Sequence, residues 1–156
     1  MTTTASQITD SGLNSQLCFA IYRATHAFSA AYRPILEPHG LTYPQYAALL
    51  ALWDQPVTNG ALSMKALGQR LDLDSATLSP LLRRLEQAGL VTRQRKVQDN
   101  RVVEIELTAA GRDLQEKLQE APARIGQCTG LTSPAAGELT VQLNHITAAL
   151  RDALSP

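Results

Sequence analysis

The chain has 156 residues, 44% hydrophobic and 18% charged, with 14 basic and 14 acidic side chains. That is the size of one ordinary domain, able to bury a core and too apolar to stay disordered. Its longest apolar run, the eight residues Tyr46–Trp53, is too short to span a bilayer, so no membrane partner is expected.

The opening stretch, MTTTASQITDSG, is polar and lacks the basic start and apolar run of a secretory signal. Residues 1–12 therefore read as a flexible N-terminus of a cytoplasmic protein. Leu13, Leu17, Ala20, Ile21, Ala24, Phe28 and Ala31 then follow helical spacing. Pro34 disfavours helical geometry at Arg33, which predicts a stop or kink there after about 30 Å of helix. Thr42-Tyr43-Pro44 restarts a helix that carries Tyr46, Leu49, Leu50 and Trp53 to a break at Asp54-Gln55-Pro56. A loop containing Asn59-Gly60 follows.

Ser63 caps a short helix with Ala66, Leu67 and Leu71 inward, and Asp72-Leu73-Asp74 makes a tight connection. Asp74 is a good N-cap for a third helix, whose Leu78, Leu81, Leu82 and Leu85 form one apolar stripe. Gly89 is placed to take the left-handed position that ends it. The period then changes from 3.6 to 2, and Leu90–Arg95 and Val102–Leu107 read as two strands. Between them lies the polar tip Lys96–Arg101. Thr108 caps a long helix running through Leu114 and Leu118 towards Ile125. Gly126–Pro134 is a break containing Cys128, and Leu139, Leu143, Ile146, Leu150 and Leu154 mark a last helix.

The zero net charge conceals a segregation. Residues 65–101 hold eight basic side chains (Lys65, Arg70, Arg83, Arg84, Arg93, Arg95, Lys96, Arg101) against four acids (Asp72, Asp74, Glu86, Asp99). That segment carries +4 and the remainder −4. Two short helices on a tight turn, followed by a hairpin, make a winged helix-turn-helix. The face of the second helix opposite its leucines presents Ser75, Ala76, Thr77, Ser79, Pro80, Arg83, Arg84 and Gln87. Small side chains at its N-terminal end suit close approach to base edges in a major groove, and the arginines suit phosphate or guanine. The hairpin adds Arg93, Arg95, Lys96 and Arg101, with Asp99 placed to brace Arg101 across the turn. The bland alternative is a solvated basic face. Wing, turn and charge segregation together favour double-stranded DNA.

The stretch LSMKALGQRLDLDSATLSPLLRRLEQAGLVTRQR, then DNR and LTAAG, resembles the MarR family of bacterial winged-helix regulators. The resemblance covers nearly all of residues 13–154. It implies a mainly α fold with a small β-hairpin wing, and a homodimer whose first and last helices interleave. Residues 13–37 and 109–154 would form the dimerisation region and 43–107 the reading region. The residues agree: the terminal apolar stripes have too little protein between them to be buried in one copy. A dimer of this kind reads a pseudo-palindromic operator.

The two cysteines, 110 positions apart, form neither a disulfide scaffold nor a zinc site. All seven aromatics lie between positions 19 and 53, around Cys18. A lone helical cysteine is usually a small inert hydrophobe. Here Tyr22 stands one turn on. Tyr32, fourteen residues on, returns to nearly the same face but about 21 Å along the axis. Two antiparallel copies crossing near Thr25 would bring Cys18 of one to Tyr32 and Tyr43 of the other, whose phenols favour the thiolate. Tyr46 and Trp53 read as core aromatics.

The phrase LCFAIYRATHAFSAAYRPILEPHGLTYPQYAALLALW is similar to the organic hydroperoxide resistance regulators within that family. The resemblance implies a peroxide-sensing role for Cys18, paired tyrosines at Tyr32 and Tyr43, and a resolving cysteine at Cys128. It further implies an organic hydroperoxide as effector and an intersubunit disulfide whose formation releases DNA. Two readings stand beside it: control by a non-covalent phenolic or hydrophobic ligand, and a thiol peroxidase. The peroxidase leaves the basic wing unexplained. His26, His39 and His145 show no ligand spacing, no nucleotide-binding or hydrolase motif is present, and no metal or other cofactor is expected.

Overall fold

The computed structural model describes residues 12–55, 61–96 and 99–154; the loop at Asn59-Gly60 and the N-terminus through Ser11 lie outside the described residues. Among the described residues there are seven α-helices and a three-stranded sheet; the elements the sequence predicts occur in order, with a further strand before the third helix and the helix after Thr108 divided in two. The chain divides after Ala121 into two compact units. No helix among the described residues is long and apolar enough to cross a membrane.

In the first unit, α1 spans Leu17–Leu36 and α2 spans Tyr43–Trp53. The predicted helix start at Leu13 is corrected. Leu13–Ser15 make one 3-10 turn, in which the Gly12 carbonyl takes both the amide and the hydroxyl of Ser15. Gln16 is extended before α1 begins. Pro34 does not end the helix either. It sits in the last turn, where the buried Tyr32 and Leu36 hold the segment against the core and outweigh the lost amide bond. Thr42 caps α2, with Gln45 Oε1 accepting from its amide at 2.8 Å and its hydroxyl at 3.0 Å.

A short strand, β1 (Ala61–Ser63), precedes α3 (Met64–Leu71); at three residues it is too short to display a period. Ser63 and Asp74 cap α3 and α4 (Ser75–Gln87) as expected, Ser63 Oγ accepting from Ala66 N and Asp74 Oδ1 from Thr77 N. Between them Asp72 adopts a left-handed conformation, φ 54°, and Leu73 N donates back to Gly68 O at 3.0 Å. Leu78, Leu82 and Leu85 of α4 join Leu36, Tyr46, Leu49 and Leu67 in the core.

The end of α4 closes on a doubly bonded turn. Leu90 N donates to Leu85 O and Gly89 N to Glu86 O, with Gly89 at φ 72°. The wing follows as β2 (Val91–Lys96) and β3 (Asp99–Leu107), antiparallel, with Arg93 opposite Ile105 and Arg95 opposite Val103. β3 also pairs with β1, Leu62 lying opposite Ile105, so the sheet order is β1-β3-β2.

Thr108 caps α5 (Ala109–Leu118), and four segments meet at this corner. Its amide donates to Leu90 O at 3.0 Å and its hydroxyl to Gly89 O at 2.6 Å, while Oγ1 accepts from Gly111 N at 3.0 Å. Trp53 Nε1 of α2 donates to Gly111 O at 2.9 Å.

The predicted long helix from Thr108 towards Ile125 is two helices. α5 ends at Leu118 and α6 spans Ala121–Cys128. Pro122 has no amide to give the Leu118 carbonyl, so it fits a first turn and interrupts a continuing one. The predicted break at Gly126–Pro134 shortens accordingly, because α6 runs through Cys128 and α7 (Ser133–Leu154) starts before Pro134. α7 has no buried residue, and Leu139, Val141, Leu150 and Leu154 are exposed along it.

The corner predicts its own sensitivity. A Cβ on Gly111 would stand 2.1 Å from Leu90 O, a backbone atom with no room to retreat. Gly111→Ala is expected to destabilise by roughly 3 kcal/mol or more, lowering the melting temperature by about 10 °C. An unchanged melting curve would contradict this packing.

Candidate functional site

Two groups of predicted site residues are brought together, in different parts of the first unit. On α4, the leucine face fixes which residues look outward: Ser75, Ala76, Thr77, Pro80, Arg83 and Arg84 are exposed and Ser79 half-buried. Pro80 lies within the second turn of the helix, which continues through it. The Thr77 amide holds the Asp74 carboxyl below its ordinary range, so the cap stays ionised at the N-terminus of the helix.

On the wing, Arg95 is exposed and Arg93 is not at the tip. Arg93 grips Glu86 in the last turn of α4, with Nε at 2.8 Å and Nη2 at 2.7 Å from Oε2, and its backbone amide 3.2 Å from Oε1. Glu86 is a functional candidate that sequence reasoning missed. The pair spans a helix end and a strand start, so neither helical nor strand periodicity links it. The side chains of Lys96, Asp99 and Arg101, and with them the expected brace between the last two, lie outside the described residues.

The second group is aromatic. Tyr32 of α1 and Tyr43 of α2 have ring centroids 5.0 Å apart. Tyr46 completes a trio, 5.5 Å from Tyr32 and 6.3 Å from Tyr43, and makes an edge contact with Trp53 at 6.0 Å. Burial, then the neighbouring Tyr43, raises the Tyr32 phenol; Tyr46, more deeply enclosed, is pushed up to about 12. The Tyr46 hydroxyl is buried with no hydrogen-bond partner among the described residues. Beside the trio, an open cleft of about 190 Å³ is lined by Ser29, Arg33, Leu36, Leu41, Thr42, Tyr43 and Pro44.

Cys18 stands apart from these tyrosines in its own chain. It is the second residue of α1, exposed, with Sγ 3.7 Å from Gln16 Oε1. Because α1 is continuous from Leu17 to Leu36, the fourteen residues between Cys18 and Tyr32 span about 21 Å. Tyr22 lies one turn beyond Cys18 on α1. It stacks on Phe19 at 6.2 Å and meets His26 edge-on at 4.4 Å. The apolar face that α1 shares with Cys18 is bare, with Leu17, Tyr22 and Phe28 all exposed. In the second unit Cys128 is the last residue of α6, exposed, its thiol donating to Arg124 O at 3.4 Å. Both cysteines are free, and no group of three or more His, Cys, Asp or Glu among the described residues is arranged to hold a metal.

Comparison with known proteins adds an independent line. The family described as transcriptional regulator SarA/Rot matches residues 30–118. The HTH-type transcriptional regulator TtmR of Methylorubrum extorquens is 52% identical over 120 residues, 77% of this chain; the chain spans 60% of that protein's length. The organic hydroperoxide resistance transcriptional regulator of Bacillus subtilis is 44% identical over 113 residues, covering 72% of this chain and 74% of the relative. Among solved structures, reduced AbfR bound to DNA, a Staphylococcus epidermidis protein, aligns with a TM-score of 0.74 at 35% identity, over 92% of this chain and 96% of that one. Disulfide-formed AbfR aligns at 0.61 and 36% identity, over 86% and 92%.

The buried Tyr46 has a pH signature. The folded state holds the Tyr46 proton up to about pH 12, against an ordinary value of 10.0. Its contribution to stability is complete below that ordinary value and is lost as pH rises through the folded one. Tyr46→Phe is expected to flatten the alkaline limb of a stability–pH profile at little cost at neutral pH. A Tyr46→Phe profile that falls as steeply as wild type above pH 10 would show that another group carries the loss.

Proposed function

Because the chain belongs to the SarA/Rot family of MarR-like winged-helix transcriptional regulators, we propose that it is a homodimeric repressor that releases its operator when Cys18 is oxidised by an organic hydroperoxide. The observation that carries this reading is the pairing of the buried Tyr32 with the half-buried Tyr43 at 5.0 Å, about 21 Å from an exposed Cys18 on the same unbroken helix as Tyr32. Within one copy the phenols and the thiol do not meet. Two copies of α1 packed antiparallel by their bare apolar faces bring each thiol to the other's phenols. Leu17 and Phe28 are 50% and 43% exposed, so covering what remains of each contributes about 1 kcal/mol.

Residues 13–37 and 109–154 then form the dimerisation region, and 43–107 read double-stranded DNA. The exposed face of α4 enters the major groove, Ser75, Ala76, Thr77, Ser79 and Pro80 near base edges and Arg83 and Arg84 further along. Arg95, with Lys96 and Arg101 towards the tip and Asp99 bracing Arg101, meets the backbone or the minor groove. DNA-bound AbfR, at 35% identity, supports this partner.

In the chemistry, the Cys18 thiolate attacks the distal oxygen of ROOH and the O–O bond breaks. The alkoxide leaves and is protonated to ROH, and the sulfur becomes a sulfenic acid. The Cys128 thiolate then attacks that sulfur, an S–S bond forms, and hydroxide leaves as water. The reduced and disulfide-formed structures of AbfR support both end states. A disulfide needs sulfurs about 2.05 Å apart, so where the reduced thiols stand further apart a helix must move to close it. The two reading helices then lose the half-site spacing of about 34–36 Å that operator binding requires. The cleft beside Tyr43, lined by Leu36, Leu41 and Pro44, is apolar enough to admit the organic group.

That same cleft is the observation behind a second reading, control by a small phenolic or hydrophobic ligand with the cysteines incidental. A thiol peroxidase gives no role to the α4 surface, and the relatives are named as transcriptional regulators.

One substitution separates the readings. Cys18→Ser should bind operator as wild type and keep it after organic hydroperoxide treatment; release by the treated variant would sink the redox switch. Cys128→Ser should lose the oxidant-dependent dimer band on a non-reducing gel, and an identical band would make Cys128 a bystander. Arg83→Ala should weaken binding and lower the slope of log affinity against log salt by about one.

A further inference from the structure

We propose that Glu86 is a positioning residue for DNA binding: by holding Arg93 it fixes the angle between α4 and the β2–β3 wing. This rests on the reading of α4 and the wing as the DNA surface, and adds a residue that touches no DNA.

Both carboxylate oxygens of Glu86 are engaged by one residue. Oε2 accepts from Nε and Nη2 of Arg93 at 2.8 and 2.7 Å, and Oε1 from the Arg93 amide at 3.2 Å. The Glu86 carbonyl meanwhile accepts from Gly89 N at 2.9 Å, inside the turn that ends α4. One residue therefore anchors both the turn leaving the helix and the strand that follows it. Arg93 pairs with Ile105, whose side chain is fully buried, so the grip reaches the hairpin at its rigid middle. Beyond that rung Gln94 and Arg95 are exposed.

The pair is half-exposed, 27% for Arg93 and 36% for Glu86. A pair this open contributes little to stability. Its geometry is another matter, since a planar guanidinium fork fixes distance and plane together, which an ammonium does not. The Arg93 side chain holds the Glu86 carboxyl below its ordinary range, so the clamp is closed at neutral pH. An acid at this place opposes phosphate by simple electrostatics. Charge and position thus predict opposite signs for its removal.

The test uses the full-length protein and a duplex it selects from a randomised library, titrated across a salt series. Glu86→Gln removes one negative charge from the surface, yet is expected to weaken binding about tenfold with the salt slope unchanged. Arg93→Lys keeps the charge and is expected to weaken it similarly. Hydrogen exchange of the β2 and β3 amides should quicken in Glu86→Gln while that of α3 stays as in wild type, which reports a loosened wing on an intact fold. Binding by Glu86→Gln that is unchanged or tighter overturns the proposal. So does wild-type affinity in Arg93→Lys, which would make Arg93 a phosphate contact that a point charge can serve. Arg83→Ala is the control for the underlying reading: if it binds as wild type, α4 is not the DNA surface and the proposal falls with it.

Discussion

The hydroxyl of Thr108 donates to the Gly89 carbonyl and accepts from the Gly111 amide, and most of the first unit is arranged around that exchange. A hydroxyl can do both at once, which a backbone amide or a carboxylate cannot. It ties the turn after α4 to the first turn of α5, while the Thr108 amide closes on Leu90 at the root of the wing. Gly111 approaches that root so closely that no side chain fits, and its carbonyl receives the indole of Trp53 from α2. The end of α4, the wing and α5 thus share one origin. Short hydrogen bonds join them there, and the buried Leu82, Leu85, Ile105 and Leu114 pack the same elements.

α1 in the first unit and α7 in the second each carry exposed apolar side chains among the described residues. Only Tyr32 and Leu36 of α1 are buried, both in its last turn and a half, and α7 buries none of its residues. Exposed leucines and aromatics in rows mark a surface meant for another protein. The sensing chemistry proposed here draws on the same incompleteness. Cys18 lies on the exposed part of α1 and Tyr32 on its buried end, so the proposed association would both hide the apolar rows and assemble the proposed site.

Much of this was legible in the residues. Caps are local chemistry, and Ser63, Asp74 and Thr108 all accept the amides that their types and positions predict. The leucine spacing of α4 fixed its buried face, and with it the outward one. Tyr32 and Tyr43 do pack together, though no rule of spacing across the bend at Gly40 demands it. What stayed hidden was settled by contacts distant in sequence. Pro34 is tolerated because Leu36 is buried, β1 exists because β3 lies beside it, and Glu86 finds Arg93 only after the chain has turned. Pro122 is the exception. Its missing amide was visible in the sequence, and the apolar spacing running through it masked the break.

The unbroken course of α1 makes it a ruler. In a symmetric antiparallel pair the distance from Cys18 to the crossing and from the crossing to Tyr32 is counted on both copies, so any error of length is entered twice. Inserting one residue between them displaces each copy by about 1.5 Å and rotates it by about 100°, and the thiol and its phenols then face different directions. Substitution on the solvent side of α1 leaves that count untouched. Relatives that keep this chemistry should therefore vary on the solvent side of α1 between the positions of Cys18 and Tyr32, and hardly at all in the number of residues that separate them.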